Sequence, residues 1–272
     1  MSFLSHLISG ISLGSIYAII ALGYTMVYGI AKMLNFAHGD VIMMGAYACF
    51  FVVSRYEMSP VLGVLLAIAV STLLGILIER LAYKPLRAAP SLAVLITAIG
   101  MSYFLQNTAQ LLWTSSPKVF HSVVGDGSVK LFDGRLSISV TAIVTVAVCI
   151  AIMILLTWFT GNTKMGKAMR ACSEDKGAAQ LMGINLNATI SMTFAIGSAL
   201  AAVAGVLLCS AYPTLMPTTG AMLGGTLLGV IEIFGKAYIS TQLSDAIVFV
   251  VLIVILLVKP AGLLGKQIQE KV

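Results

Sequence analysis

Charge is what this chain has least of. Asp, Glu, Lys and Arg together make up only 10% of its 272 residues, whereas hydrophobic residues make up 59%. A soluble globular domain carries about 25% charged residues. So little charge cannot keep a folded surface in water, so the composition excludes a soluble protein and predicts an integral membrane protein.

Cysteines and catalytic motifs are also scarce. The four cysteines lie at positions 49, 149, 172 and 209, and no two have the close spacing of zinc ligands. Neither H-E-x-x-H nor G-x-S-x-G occurs, which argues against a metalloprotease or an α/β-hydrolase. The sequence therefore predicts no catalytic residues, no metal ligands and no cofactor bound by this chain.

One segment comes close to a nucleotide-binding motif. "GNTKMGKA", residues 161–168, nearly matches the phosphate-binding loop, but Ala168 stands where that motif needs a hydroxyl to bind Mg²⁺. It also follows a predicted membrane span rather than a buried strand. We therefore expect no ATP site in this chain, so any ATP that drives it is bound by another subunit.

Long apolar runs are abundant. A transmembrane helix needs roughly 20 mostly apolar residues, and eight runs approach that length, the last two being short. They are residues 3–30, 36–53, 60–77, 91–113, 138–159, 189–212, 221–233 and 246–258. The runs are unbroken rather than alternating, which disfavours barrel strands. We predict an all-α integral membrane protein, a polytopic bundle of about seven or eight membrane segments, with residues 1–272 forming one transmembrane domain.

The basic residues predict the orientation of the bundle. Lys and Arg gather in loops that stay in the cytoplasm. If residues 160–188 and the C-terminus are inside, eleven basic residues lie inside and five outside. We therefore expect a multi-pass protein of the cell (inner) membrane with its N-terminus outside. This placement accounts for the net charge of +6, so no nucleic-acid partner is predicted.

The loop at residues 160–188 carries the signals of a short helix. It has an N-cap, two acids for the first turn, a small-residue face and a terminating glycine. These are Ser173, Glu174, Asp175, Ala178, Ala179 and Gly183. Two interpretations remain open: an ordinary amphipathic connector, or a coupling helix that docks into a soluble partner.

"LNFAHGD", residues 34–40, places Asn35, His38 and Asp40 near the inner end of the second run, with Asn35 as the expected N-cap of a helix that starts at residue 36. Polar groups at membrane depth face protein or a water-filled cavity. The three residues could form a structural hydrogen-bond cluster, an inner gate or a direct amino-acid site. Gln106 and Asn107, late in the fourth run, could line the path or join helices.

One acid and one base end the third run. Glu79 and Arg80 lie at its predicted inner end, where an ion pair or a lipid-headgroup contact is the expected role. Contact with a partner protein is the alternative.

Four motifs in order resemble a known family. They are "LNFAHGD" (34–40), "ERLAYKPLR" (79–87), "GKAMRACSED" (166–175) and "KPAGLLG" (259–265). From about residue 8 to 265 the chain is similar to the permease subunits of branched-chain amino-acid ABC importers. Ala178–Ala179 through Gly183–Ile184 resembles the loop by which such permeases engage their ATPases.

The resemblance implies a division of labour. Two ATPase subunits would bind ATP and contact Glu174, Ala178, Ala179 and Gly183, while a second permease subunit completes the path. An extracytoplasmic binding protein would deliver a branched-chain or related amino acid, although related permeases also serve urea and short amides.

Other classes of membrane protein remain alternatives. An ion-coupled secondary transporter usually carries ionisable residues at mid-span, and the middles of runs three to six contain none, which disfavours that class. A membrane subunit without a transport role is a further alternative.

The seventh run poses a topological problem. Only eight residues separate Tyr212 from Ala221, and eight residues reach at most about 27 Å, less than the roughly 30 Å of bilayer core. Relatives that resemble "PTTGAM" continue through a further stretch rich in Gly, Ala and Pro. We predict a shortened variant with its junction at residues 217–225 and a seventh run that is re-entrant or partial. A transport-incompetent shortened permease is therefore a further alternative.

Overall fold

The computed structural model describes residues 2–87, 89–125, 127–131 and 136–217. Helices dominate this part of the chain. They are α1 (Ser2–Ala31), α2 (His38–Phe50), α3 (Pro60–Ile78), α4 (Ser91–Trp113), α5 (Val140–Asn162), α6 (Lys164–Glu174), α7 (Lys176–Leu181) and α8 (Leu186–Ala211). A π-helical turn extends α2 over Phe51–Arg55. Another extends α3 over Glu79–Tyr83, and a 3-10 turn follows at Lys84–Leu86.

In the described residues, five segments are long and apolar enough to cross a membrane. They are His6–Ala31, Pro60–Leu86, Leu92–Trp113, Val140–Asn162 and Leu186–Ala211. These segments match the predicted runs one, three, four, five and six, so the prediction of a polytopic helical membrane protein is confirmed. The second run forms the shorter α2 with its π-helical extension.

The two ends of the bundle differ in chemistry. At one end, here called the basic end, α1 and α3 finish and α4 and α8 begin, and Lys32, Arg87 and Lys176 come together. Lys176 Nζ donates to Ala31 O at 2.6 Å, and Arg87 donates to Asn187 Oδ1. The first contact ties α7 to the end of α1, and the second ties the segment after α3 to the start of α8.

At the opposite end, here called the strand end, two short antiparallel ribbons form. β1 (Lys118–Val119) pairs with β4 (Thr214–Leu215), and β2 (Ser128–Leu131) pairs with β3 (Leu136–Ser139). The β1–β4 pair joins the segment after α4 to the segment after α8. The apolar runs predict helices alone, so these ribbons were not predicted.

Helix α8 lies at the centre of the bundle. In its most apolar window 78% of the residues are buried, more than in any other described span. Helices α1, α2 and α3 all pack on it, and a small residue lies at each crossing. A Cβ on Gly205 would lie 2.6 Å from the carbonyl oxygen of Ile42, and one on Gly75 would lie 2.6 Å from Ser198 Cβ. Such close backbone approach is how helices associate in lipid, where no hydrophobic effect draws them together.

Helix α2 begins inside the bundle rather than at its end. Residues 32–37 run back from the basic end, and the His38 ring then packs on Gly23, whose added Cβ would lie 3.0 Å from His38 Cε1. Gly23 precedes the end of α1 by a little over two turns, or about 12 Å along the helix axis. The N-terminus of α2 is therefore enclosed by protein at membrane depth.

Several predictions concern residues outside the described ranges. The seventh and eighth runs, the greater part of the 217–225 junction and the basic C-terminal tail all lie there. The predicted shortening, the re-entrant seventh run and the inside location of the C-terminus therefore stay predictions.

The α3–α8 crossing provides a test of this packing. We expect Gly75→Ala to lower the melting temperature of the detergent-solubilised protein, because the new methyl group forces Ser198 and the α8 backbone away. Overpacking of this kind costs about 1–3 kcal/mol. Gly100→Ala on α4 is the matched control, since an added Cβ there meets nothing within 4 Å. Equal melting temperatures for the two variants would contradict the close crossing.

Candidate transport and coupling sites

The three polar side chains of the motif after α1 are buried. Asn35, His38 and Asp40 are 3–4% exposed. Asn35 Oδ1 accepts a hydrogen bond from the Tyr83 hydroxyl at 3.0 Å, which holds the re-entering segment to the end of α3. The residue at the N-cap of α2 is Ala37, which makes no side-chain cap. The predictions that Asn35 caps this helix and that the helix starts at residue 36 are therefore wrong.

Asp40 connects α2 to α4. Its Oδ1 accepts from Gln106 Nε2 at 2.9 Å, and Gln106 also donates to Ser102 Oγ at 3.2 Å. Gln106 thus joins helices by a hydrogen bond, one of the two roles considered for it. Asn107 points elsewhere: it is exposed and donates to the Tyr103 carbonyl of its own helix at 2.7 Å.

Two polar atoms of this cluster lack partners. His38 Nε2 and Asp40 Oδ2 are buried and have no hydrogen bond within the described structure. An unpaired buried polar group costs about 1–3 kcal/mol. Such atoms are often found where water, a ligand or a second conformation satisfies them in part of a functional cycle. The cluster therefore differs from a fully satisfied structural network.

A buried ion pair fixes the basic end of α3 to α8. Glu79 is fully buried and pairs with Arg87, while its Oε2 accepts from Ser191 Oγ at 2.7 Å. The expected ion pair at Glu79 is present, but its partner is Arg87. Arg80, its sequence neighbour, is exposed.

The loop between α5 and α8 forms two short helices instead of one. Thr163 caps α6, its Oγ1 accepting from Gly166 N at 2.9 Å, and Asp175 caps α7, accepting from Gly177 N at 2.7 Å and Ala178 N at 3.0 Å. The prediction of Ser173 as N-cap is wrong, because Ser173 lies within α6 and donates to the Arg170 carbonyl. Asp175 is the stronger cap because its charged carboxylate bonds two free amides of the α7 N-terminus.

The predicted end of this loop helix is confirmed. Gly183 has a φ of +81°, the left-handed conformation that ends a helix. The amide of the next residue, Ile184, returns to the Ala179 carbonyl at 3.0 Å. The chain thereby turns sharply from α7 into α8.

Ala178 and Ala179 lie on opposite faces of α7, which corrects the predicted contact surface. Ala179 is buried against Ile30, Met169 and Cys172, so it packs inward and does not share an outward face with Ala178. Burial also raises the pKa of the Cys172 thiol. Glu174, Ala178 and Gly183 are exposed as expected.

Two apolar residues on the outer face were missed. Leu181 is 90% exposed and Met182 is 83% exposed. Large apolar side chains standing free at the tip of a loop are unusual unless a partner covers them. In the sequence they only continue the helix pattern, and nothing there marks them as exposed.

Other residues of the site were also not predicted, because only their contacts in the folded structure reveal them. The Tyr83 hydroxyl and Arg87 lie 48 and 8 residues from the partners they bond. An aromatic cluster near the strand end is similar, with Tyr47 stacked on Trp113 at 4.5 Å between ring centroids. No group of three or more potential metal ligands occurs in the described part of the chain.

The fold and these sites define a polytopic helical membrane protein with a buried polar cluster and a two-helix loop that presents apolar side chains. Comparison with known families identifies it further. The family described as "Branched-chain amino acid transport system / permease component" matches residues 6–219. The chain belongs to this family.

Curated relatives resemble the chain over nearly its whole length. The high-affinity branched-chain amino acid transport system permease protein LivH of Salmonella typhimurium is 40% identical over 99% of this chain and 98% of its own. BraD of Pseudomonas aeruginosa, a permease protein of the same description, is 41% identical with the same coverage. A probable LivH of Methanocaldococcus jannaschii is 26% identical. No solved structure gives a significant match.

The alignments bear on chain length. The Salmonella alignment runs to 303 positions, whereas this chain has 272 residues, so the relative holds a number of residues without a counterpart here. The family match also stops at residue 219. Both observations fit a shorter chain, and its predicted location near residues 217–225 stays a prediction.

Proposed function

We propose that this chain is the permease subunit of an ABC importer that moves branched-chain or related amino acids inward when a separate ATPase hydrolyses ATP. The observation that carries the proposal is the outward apolar tip of α7, on a loop that packs against the membrane helices α1, α5 and α8. The relatives named as branched-chain amino acid permeases support the substrate class.

The proposed complex has four kinds of component. Two ATPase subunits bind at the basic end, which is then cytoplasmic, and ATP stays on those subunits. A second permease subunit completes the path, and an extracytoplasmic binding protein delivers the amino acid to the strand end. The orientation follows from the excess of basic residues at the basic end.

The coupling surface proposed here consists of Glu174, Ala178, Leu181, Met182 and Gly183. Leu181 and Met182 present apolar surface to the solvent, and the fully buried core of a protein interface is apolar and poor in charge. Ala179 and Lys176 transmit movement inward, because Ala179 packs under the loop and Lys176 bonds the end of α1.

Leu181→Glu tests the coupling surface. We expect the ATPase to co-purify about tenfold less well, because the substitution places a charge in the apolar centre of the interface. The permease should still insert and fold, since the side chain touches little of its own chain. Lys167→Gln is the matched control: it is exposed on α6 and makes the same change in net charge. Undiminished ATPase in the Leu181→Glu preparation would contradict the proposal.

The polar cluster is proposed as a gate in the path. Asp40, His38 and Gln106 lie at membrane depth around the enclosed N-terminus of α2, with Asn35 holding the segment that leads into it. The unpaired oxygen of Asp40 and nitrogen of His38 would gain partners when the helices shift. Asn107 is not included, because its side chain bonds its own helix.

Asp40→Asn tests the gate. Asparagine can still accept the hydrogen bond from Gln106, so we expect near-normal protein level. Uptake should fall several-fold, because the amide of asparagine puts a donor where the unpaired Oδ2 of Asp40 would accept in the second conformation. Asn107→Ala is the control, with uptake unchanged. Wild-type uptake by Asp40→Asn at equal protein level would leave only a structural role for the cluster.

The two alternative functions differ from the proposed one in their energy source or in their ability to transport substrate. An ion-coupled secondary transporter needs no ATPase, and a transport-incompetent shortened permease would bind its ATPase without moving substrate. The exposed apolar tip of α7 favours a protein partner at this position, and this favours the ABC importer over the ion-coupled class.

A further inference from the structure

Three basic residues from different parts of the chain surround one cavity at the basic end. Lys32 follows α1, Arg87 follows α3 and Lys176 begins α7. All three line a cavity of about 470 Å³ between α1 and α4, a volume within the range of small-ligand sites. Three positively charged side chains from separate segments therefore lie along the same cavity.

These charges are poorly compensated. Within the described residues the sole salt bridge is that of Arg87 with Glu79, so in that part of the chain Lys32 and Lys176 have no carboxylate partner. Arg87 Nε is buried and without a hydrogen bond in the same part of the chain. Burial, reinforced by the nearby charges of Arg87 and Lys32, lowers the pKa of Lys176. Each observation indicates a site that gains stability when an anion enters.

The rest of the lining is apolar, and part of it belongs to the membrane helices α1 and α4. Tyr28 on α1 and Leu92 on α4 line the cavity and are 49% and 64% exposed, respectively, with Leu95 beside them. Apolar walls of this kind do not stabilise a free hydrated anion. A phosphodiester with acyl chains matches both features, since its charge meets the three cations while its chains lie along Tyr28 and Leu92.

We propose that this cavity binds the phosphate group of an anionic phospholipid from the membrane leaflet at the basic end. Arg87 and Lys32 hold the phosphate, and Lys176 adds charge while it remains bonded to the end of α1. Basic pockets between membrane helices bind such headgroups elsewhere. The bound lipid would link α1, α4 and the start of α7, so it would stabilise the loop that carries the coupling surface.

Native mass spectrometry of the purified protein with its co-purifying subunits tests the site. Phosphatidylglycerol is titrated against phosphatidylcholine, and we expect the anionic lipid to be retained preferentially. Lys32→Gln should weaken that binding by about fivefold, the factor for one lysine near an anionic phosphate. Lys32→Gln/Lys176→Gln should weaken it by about 25-fold if the two contributions add. Lys84→Gln is the matched control, exposed at the same end and outside the cavity.

Several outcomes would overturn the proposal. Equal retention of the two lipids by the wild-type protein would do so, as would equal losses in Lys84→Gln and Lys32→Gln, which would indicate a diffuse surface effect. Displacement of phosphatidylglycerol by millimolar inorganic phosphate would assign the site to a free anion. Lys32 has no side-chain hydrogen bond in the described structure, so its single variant should fold even where the double variant does not.

Discussion

The close approach of α8 to its neighbours is the constraint on which this structure depends. Lipid tails are as apolar as the helix surfaces, so burying those surfaces against each other gives no hydrophobic stabilisation. Helix association therefore depends on close packing of the backbones. Gly23 and Gly197 at the α1 crossing, and Gly75 and Ser198 at the α3 crossing, allow that contact. With α8 seated, α2 can begin inside the bundle, where its first residues are enclosed by protein rather than lipid.

Helix α8 also connects the proposed working parts. In its first turns, Asn187 accepts a hydrogen bond from Arg87 and Ser191 donates one to Glu79. Helix α7 leads directly into α8 through the turn at Gly183. Two turns further on, Gly197 meets the helix that carries the His38 contact. Packed residues therefore connect α7 continuously to the polar cluster. Through them, a partner that displaces α7 would also move the cluster, as the proposed coupling requires.

Much of this fold could be predicted from sequence, because membrane spans are specified by apolar length alone. The caps and faces of the short loop helices could not. Asp175 outcompeted Ser173 as a cap, and Ala179 turned inward while Leu181 turned outward, since tertiary packing decides which side of a six-residue helix is buried. The depth of Asp40 was also missed, because no periodicity signals that a chain turns back into the membrane before its next helix. The Asp40–Gln106 bond joins residues 66 positions apart.

ATP-dependent uptake is the most direct measurement of the account's central claim. Proteoliposomes would hold this chain with its ATPase, second permease and binding protein, and labelled leucine would be supplied on the binding-protein side. We expect uptake that requires ATP on the side of the basic end and that disappears when this chain is omitted. Uptake that needs no ATP and follows an imposed proton or sodium gradient would contradict it.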